Sequence, residues 1–344
     1  MLQDIRSSSS PFGGITVVFG GDFQQTLPVI VHGSRADVLN ATIQSSVIWT
    51  NVNVLHLHKN MRIDRNTVGS DSFAEWLLEV GHGQTCSGQT VTPPVPLPTH
   101  MLCDSEDDLI QKVYGPSLNC RTIPPPDYFR DRAILAACNH DIRTLNTTIP
   151  NLLPGSERSY LSADTYTIES SSLRQNQDVP IEFLHSLNAS GLPVAELRLK
   201  PGCPILLLRN IDTKRGLCNG TRGTIINMSD RLLEIRLLTG DHAGQTALIP
   251  RITLSPSLTN LDFALKLNRR QFPVQLGLAI TINKAQGQSL RHVGVDLRKQ
   301  VFAHGQLYVA LSRATTAEHL AILLPTESQI KTARNVVYNE ILLH

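Results

Sequence analysis

No lysine follows a glycine anywhere in the 344 residues, and no aspartate is followed by a glutamate. The first absence excludes a phosphate-binding loop of the form GxxxxGK[ST]; the second removes the acidic pair that would hold Mg²⁺ beside it. The nearest approach is Gly240–Thr246 (GDHAGQT), which has Gln245 where the loop requires lysine. The sequence therefore contains no complete triphosphate site of this kind.

Other absences bound the class of protein. The six cysteines never form CxxC, so neither a zinc ribbon nor a disulfide framework is indicated, and no metal site is predicted. No apolar run is long enough to span a bilayer, and the N-terminal residues MLQDIRSSSSPFGG lack the charged-then-apolar pattern of a signal peptide. We expect an intracellular protein without membrane association.

The composition is that of a globular chain with an uneven charge distribution. With 41% hydrophobic and 17% charged residues, the chain is long enough for two domains with their own cores. Residues 1–197 carry 12 Lys and Arg against 20 Asp and Glu, whereas residues 198–344 carry 19 against 9. The basic C-terminal part is suited to attracting a phosphate backbone, although such a split is also common on solvated surfaces.

A polar turn after a predicted strand is the most informative part of the sequence. Val274–Ile280 (VQLGLAI) is apolar and follows Pro273, which predicts a strand buried on both faces of a parallel sheet. Open α/β sheets bind ligands where strands end, and this end carries the polar side chains of Thr281, Asn283, Lys284, Gln286, Gln288 and Ser289. Gly287 lets the backbone approach a phosphate. By itself the segment is equally compatible with an ordinary strand-to-helix turn.

The segment that follows completes an α/β unit. His292–Leu297 (HVGVDL) predicts a second strand, and His304–Ala314 predicts a helix with Arg313 at its far end. Near the N-terminus, Phe12–Asp22 (FGGITVVFGGD) predicts an apolar strand that runs into a polar turn containing Gln24 and Gln25. That turn is also compatible with a glycine-rich surface loop.

Several further elements follow from periodicity and capping signals. The predicted helices are Arg35–Gln44 after Ser34, Asp71–Gly81, and one capped by Asn139; the predicted strands are Val52–Leu57 and Ala133–Cys138. Residues 197–261 contain short β runs separated by KPG, CNG and TG turns, which predict a small β-barrel. Arg222 follows the Asn219-Gly220 turn there, where it either faces a phosphate or lies on a solvated hairpin tip.

Taken in order, six segments resemble the motifs of one enzyme family. They are FGGITVVFGGDFQQTLPVI, LHLHKNMR, AILAACN, LKPGCPILLLRNID with GLCNGTRG, TINKAQGQS and LYVALSRAT. Together they resemble superfamily-one DNA helicases of the Pif (petite integration frequency) type, as carried by Helitron transposons, over nearly the whole chain. The resemblance implies an α/β fold of RecA-like parallel sheets with helices on both faces, an incomplete first lobe, and a small β-barrel inserted in the second lobe.

The resemblance also implies roles for particular residues. Gln25 matches the third-motif glutamine that senses the γ-phosphate and the attacking water. Arg62 and Arg313 match the arginine fingers of the fourth and sixth motifs, which place a planar charge on the transferred phosphoryl group. Gly287 and Gln288 would lie beside the nucleotide. The predicted DNA-binding residues are Thr281, Asn283, Lys284, Gln286 and Arg222.

The implied division of the chain has four parts. Residues 1–82 would be a remnant of the first lobe, 83–126 a Pro-rich connection, 127–196 with 262–344 the second lobe, and 197–261 the barrel. Because the P-loop and the acidic magnesium motif precede the third motif in this family, we expect a truncated form that by itself neither binds ATP–Mg²⁺ tightly nor hydrolyses it.

The implied function is ATP-dependent 5′-to-3′ DNA unwinding in repair, recombination, telomere maintenance or Helitron transposition. ATP and Mg²⁺ are the family's cofactors, single-stranded DNA or DNA junctions its partners, and the nucleus its expected location. A protein that supplies the missing lobe is a further expected partner. The alternative is a non-enzymatic transposon remnant that binds single-stranded DNA or a partner protein.

Overall fold

The computed structural model describes residues 2–57, 70–84, 94–118, 122–168, 179–187, 191–256, 265–325 and 331–342. The α-helices are α1 (Leu2–Ile5), α2 (Arg35–Asn40), α3 (Ser70–His82), α4 (Glu106–Leu118), α5 (Asn139–Leu152), α6 (Ile181–Ser186), α7 (Ile282–Ala285) and α8 (Gln306–Leu311). Short 3₁₀ turns lie at Pro11–Gly14, Ile43–Ser45, Trp49–Asn51, Thr99–Met101, Thr213–Arg215, Ala317–His319 and Asn339–Ile341.

The strands are short and fall in several sheets. They are β1 (Pro94–Pro96), β2 (Leu102–Cys103), β3 (Arg132–Ala136), β4 (Arg158–Leu161), β5 (Ala163–Ile168), β6 (Glu196–Leu199), β7 (Pro204–Leu207), β8 (Arg222–Met228), β9 (Leu232–Leu237), β10 (Thr246–Pro250), β11 (Ile252–Leu254), β12 (Leu265–Gln271), β13 (Val274–Leu276), β14 (Ala279–Thr281), β15 (His292–Asp296), β16 (Leu320–Leu323) and β17 (Thr332–Arg334).

A five-stranded parallel sheet in the order β14-β3-β15-β16-β2 organises the chain. Successive side chains of β3 point to opposite faces, so Ala133 and Leu135 join one core while Ile134 and Ala136 join the other. Helices α4 and α5 pack on the second of these faces, and α3, α7 and α8 pack on the first. The predicted α/β fold, with helices on both faces of a parallel sheet, is confirmed.

The segment predicted as one buried strand, Val274–Ile280, is divided between two sheets. Its first part, β13, pairs antiparallel with β7, whereas β14 pairs parallel with β3. Gly277 lies at the division, where a Cβ would come within 3.2 Å of the Ile205 carbonyl carbon. The prediction of a single strand was wrong because an apolar run shows burial and does not show which neighbour each half pairs with.

The β-rich region forms antiparallel sheets beside the parallel one. Its pairings among the described residues give the five-stranded order β10-β9-β8-β7-β13 and a three-stranded sheet, β11-β12-β5. Strand β13 leads directly into β14, so the antiparallel and parallel sheets meet at Gly277. Closure of these strands into a barrel stays a prediction.

Two segments near the N-terminus that were predicted as strands have no strand partner among the described residues. Residues 15–20 and 52–57 carry apolar side chains that face solvent, with Val18 89% and Leu57 99% exposed. A β-strand requires a hydrogen-bonding neighbour, which a favourable sequence pattern does not provide. The prediction of strands here was therefore wrong for the described structure of this chain.

Other predicted elements are confirmed with shifted ends. Helix α3 lies within one residue of its predicted bounds, α2 begins after a capping box made by Ser34 and Asp37, and α8 is shorter than predicted. Cys138, rather than Asn139, occupies the cap position of α5. Residues 83–126 were predicted as a Pro-rich connection, but they form more regular structure than that. They contain β2, an edge strand of the parallel sheet, and α4, which packs on that sheet.

None of the described helices is long and apolar enough to cross a bilayer.

A fully buried ion pair holds the three-stranded sheet to its surroundings. Arg269 Nη2 lies 2.7 Å from Asp164 Oδ2, and neither side chain is exposed. The same guanidinium donates to the carbonyl oxygens of Leu184, Leu187 and Pro193. One arginine on β12 therefore fixes β5, the end of α6 and the segment before β6.

We predict that Arg269→Met lowers the free energy of unfolding by about 3–5 kcal/mol, because it leaves the Asp164 carboxylate buried without its partner. The double variant Arg269→Met/Asp164→Leu should recover much of the loss, because no unpaired charge remains. Urea unfolding measures both. Arg215→Met is the matched control, since Arg215 pairs with Asp212 at the surface with its side chain 83% exposed. Equal midpoints for the two single variants would contradict the prediction.

Candidate functional site

The polar turn at the carboxyl end of β14 is ordered by helix α7. Thr281 caps this helix, its Oγ1 accepting from the backbone N–H of Lys284 at 3.4 Å. Asn283 Oδ1 accepts from Gln306 Nε2 of α8 at 3.3 Å. Gly287 has φ of +81°, and no atom lies within 4 Å of a Cβ built on it. The turn therefore presents polar groups and one open stretch of backbone at the edge of the sheet.

A second turn, residues 22–26, lies against the first; we call it the glutamine turn. Gln286 Nε2 donates to Gln25 Oε1 at 3.0 Å, and Gln286 Oε1 accepts from Thr26 Oγ1 at 2.9 Å. Asp22 closes the glutamine turn by accepting from Gln25 Nε2 at 3.1 Å and from the backbone N–H of Gln24 at 2.9 Å. One side chain of the polar turn thus binds two residues of the glutamine turn.

The start of α8 forms the rest of the contact surface. Gly305 approaches the glutamine turn so closely that a Cβ would lie 2.3 Å from Gln24 O, and its φ is +70°. Tyr308 on α8 donates its hydroxyl to Asp22 Oδ2 at 3.3 Å. A side chain at position 305 would be strained and would displace the glutamine turn, so glycine is required for this docking.

Helix α3 contacts the glutamine turn from another side. His82 Nδ1 lies 2.9 Å from Leu78 O, so Nδ1 carries the proton and Nε2 is an acceptor. Gln24 Nε2 lies 3.1 Å from that Nε2. The two glutamines of the turn therefore bind different elements, since Gln24 meets α3 and Gln25 meets the polar turn.

Arg313 lies at the end of α8 with its side chain turned into the protein. It is fully buried and donates to Val309 O at 2.8 Å, Gln288 O at 2.9 Å and Ser312 Oγ at 2.8 Å. Through Gln288 it is bonded to the polar turn. The structure thus joins Arg313 to Gln288, a predicted nucleotide-binding residue.

Lys284 is the cation of the polar turn. Its Nζ lies 3.4 Å from Gln275 Oε1, and the described residues give it no carboxylate partner. Burial lowers the pKa of this ammonium, because the charged form loses solvation. An anion placed at the turn would restore the missing counter-charge.

Arg222 does not lie where a DNA contact requires. Its side chain is fully buried, and its guanidinium donates to the carbonyl oxygens of Arg130, Arg132 and Gly277. Burial lowers its pKa. The interpretation that Arg222 faces a phosphate is corrected: the residue joins the antiparallel and parallel sheets at their junction. The adjacent Asn219-Gly220 dipeptide indicates a tight turn, but it does not indicate whether the Arg222 side chain points into the protein or into solvent.

Arg62 lies outside the described residues. Sequence reasoning missed Asp22, which closes the glutamine turn from within, and His82, His304 and Tyr308, which contact it. Asp22 lies within the GDFQQ segment and Tyr308 within the LYVALSRAT motif, so the sequence contained a motif that could have indicated both residues. No motif indicated His82 or His304, which were recognisable only as residues near the ends of predicted helices.

Comparisons with known proteins find helicases along most of the chain. Descriptions of known families match residues 1–91 (PIF1-like helicase), 182–228 (DNA helicase Pif1, 2B domain) and 257–342 (Helicase). The ATP-dependent DNA helicase PIF1 of Danio rerio is 29% identical over 331 residues, which cover 94% of this chain and 43% of that protein. The ATP-dependent DNA helicase Pif1 of Bdellovibrio bacteriovorus is 28% identical over 328 residues, which cover 94% of this chain and 61% of that protein. The chain is thus similar to Pif1-like helicases over 94% of its length.

Solved structures of Pif1 helicases share the fold. The crystal structure of Bacteroides Pif1 bound to ssDNA has a TM-score of 0.59 and 21% identity, covering 99% of this chain and 67% of that chain. Pif1 helicase from Candida albicans also has a TM-score of 0.59, with 24% identity, covering 99% and 70% of the two chains. This chain spans about half the length of the curated Pif1 relatives, 43% and 61% in the two cases given.

We predict that Gln286→Ala releases the glutamine turn without unfolding the chain. The variant removes two neutral hydrogen bonds, each worth about 0.5–1.5 kcal/mol, to Gln25 and Thr26. Hydrogen exchange measured by mass spectrometry at one fixed pH should show lost protection in the peptide that contains residues 22–26.

Gln288→Ala is the matched control on the same turn, since the Gln288 side chain donates to Lys284 O and not to the glutamine turn. Protection that is equal in the two variants would show that Gln286 does not hold the glutamine turn.

Proposed function

We propose that this chain supplies the DNA-holding lobe and the phosphate-sensing turn of an ATP-dependent 5′-to-3′ DNA helicase. One observation carries the proposal: Gln286, on the predicted DNA-contacting turn, is hydrogen-bonded to Gln25, the predicted γ-phosphate sensor. A helicase must make its grip on DNA depend on the state of its nucleotide. A direct bond between the two turns is a physical means for that dependence, because a change in the position of either turn alters the other.

The nucleotide side of the proposal rests on Gln25, Gly287, Gln288 and Arg313. The open backbone at Gly287 suits a phosphate, and the Arg313 guanidinium would have to exchange its bonds to Val309 and Ser312 to reach one. ATP with Mg²⁺ supplies the phosphoryl group and the charge that offsets it. The Candida, Danio and bacterial relatives are named as helicases, and one Bacteroides Pif1 structure is described as a complex with ADP-AlF3 and ssDNA.

The residues present fit that group only in part. The sequence has no GxxxxGK[ST] segment and no Asp-Glu pair, and the Asp22 carboxylate already accepts from Gln24, Gln25 and Tyr308. We therefore assign no hydrolytic step to this chain by itself. The proposal includes a P-loop-bearing segment that packs against residues 15–20 and 52–57, whose solvent-facing apolar side chains support such a contact.

The DNA side rests on Thr281, Asn283, Lys284 and Gln286. Lys284 is a cation with no carboxylate partner among the described residues, and Asn283 and Gln286 are exposed on the same turn. Phosphate contacts of this kind hold a strand without reading its sequence. The solved Bacteroides relative bound to ssDNA supports this choice of partner. Family roles in repair, recombination, telomere maintenance or Helitron transposition, and a nuclear location, belong to the same proposal.

We predict weak binding of single-stranded DNA that falls steeply with salt, because it rests on released counterions. Lys284→Ala should make the slope of log K against log salt shallower by about 0.7, which corresponds to one lost phosphate contact on a single strand. Fluorescence anisotropy of a labelled oligonucleotide at several salt concentrations measures this slope.

The matched control is Lys112→Ala on α4, a lysine that is paired with Asp108. Its slope should equal that of the unaltered chain. Identical slopes for the Lys284 and Lys112 variants, or no binding at low salt, would refute the assignment of the polar turn to DNA.

A further inference from the structure

His304 joins the glutamine turn to the C-terminal segment. Only 1% of the residue is exposed, and its two ring nitrogens face different parts of the chain. Nε2 lies 2.8 Å from Phe23 O, and Nδ1 lies 2.8 Å from the backbone nitrogen of Tyr338. A backbone N–H can only donate, so Nδ1 must be unprotonated and Nε2 must carry the proton that is donated to Phe23. The contacts thus define one neutral tautomer.

The C-terminal segment is itself tied to several elements. Gly305 donates its N–H to Val336 O at 3.1 Å, and Asn335 Nδ2 donates to Val80 O at 2.7 Å. Arg35 on α2 stacks over the Tyr338 ring at 4.4 Å and pairs with Glu340 at 2.6 Å. His304 therefore connects the glutamine turn to a firmly held segment.

We propose that His304 is a positioning residue for Gln25, and that it holds the glutamine turn in place only while its imidazole is neutral. Protonation would put a second N–H donor at Nδ1, opposite the N–H of Tyr338, so the ring would lose one bond and face a repulsive contact. The ring would then leave its position, and the bond to Phe23 O, two residues before Gln25, would be lost. The importance of Gln25 rests on the proposed function, but the holding of the turn does not.

The charges around His304 set the direction of its titration. Burial lowers the pKa of His304 most, the Phe23 carbonyl raises it, Arg35 lowers it, and Asp22 and Glu340 raise it; the net shift is downward from 6.5. As pH falls through 6.5 an unfolded chain takes up the proton first, so the contact is fully stabilising above that value. Its stabilisation is lost as pH falls through the lowered pKa. Acid therefore releases the turn.

Histidine-selective ¹⁵N NMR and backbone amide spectra of the full chain, between about pH 5 and pH 8, test the proposal. We expect His304 to carry its proton on Nε2 at the upper pH. The amide signals of Gln24 and Gln25 should move with the same midpoint as the His304 ring. A proton on Nδ1, or amide signals of Gln25 that do not follow His304, would overturn the proposal.

Two substitutions separate the bonds. His304→Gln places an amide N–H where Nε2 stood and cannot titrate, so the Gln25 signal should remain at its docked position across the pH range. His304→Asn keeps an acceptor near Tyr338 but loses the reach to Phe23, so the signal should take its acid position at every pH. A pH response that persists in either variant would overturn the proposal.

His82 is a second histidine that contacts the glutamine turn, through Gln24. His82→Gln should leave the response of the Gln25 signal unchanged, and loss of that response would assign the pH dependence to His82 and overturn the role of His304. The experiment contains neither nucleotide nor DNA, so its failure would leave the proposed function standing.

Discussion

The hydrogen bonds that Gln286 makes to Gln25 and Thr26 are the constraint on which the candidate site depends. They exist because β14 ends at the same edge of the parallel sheet where α8 begins, and α7 and α8 are fixed there by a shared apolar core. Each neutral bond is worth only about 0.5–1.5 kcal/mol. The docking is a sum of small contacts on a rigid base, which suits an interaction that must break and re-form.

Buried arginines give the chain its internal connections. Arg222 satisfies carbonyls at the junction of two sheets, Arg269 pairs with Asp164, and Arg313 links α8 to the polar turn. A guanidinium has donors pointing in several directions, so one residue can tie three segments together. The sequence gives the position of an arginine along the chain, but it does not show whether the side chain points into the protein. For that reason Arg222 was predicted as a DNA contact and is a structural residue instead.

Local signals predicted local structure well. The capping box at Ser34, the amphipathic pattern of α3 and the apolar run of β3 each specify an element through interactions within a few residues. Pairing between distant segments was less predictable. Val274–Ile280 reads as one strand because both halves are apolar, and only the approach of Gly277 to Ile205 reveals the division. Residues 15–20 look like a strand because their apolar residues favour β structure. A strand also needs a neighbouring strand to pair with, and the sequence pattern does not show whether one is present.

In the candidate site, too, local features were predictable from the sequence and contacts between distant segments were not. Gln25, Gly287, Gln288 and the polar turn were predicted from motifs in which the chemistry follows a strand directly. His304 was not predicted, since its role depends on a carbonyl 281 positions away and on an N–H 34 positions away. Such contacts arise from topology, and no spacing rule within the sequence contains them.

The central claim is that the bond between Gln286 and Gln25 couples the DNA-holding turn to the nucleotide-sensing turn. The most direct measurement is ATP hydrolysis, with and without single-stranded DNA, by a chain in which a Pif-type segment carrying a P-loop and its acidic pair is fused ahead of Met1. The account predicts that DNA stimulates hydrolysis by the fusion, and that Gln286→Ala removes this stimulation while the DNA-independent rate remains. Stimulation that is undiminished in a Gln286→Ala fusion would contradict the account.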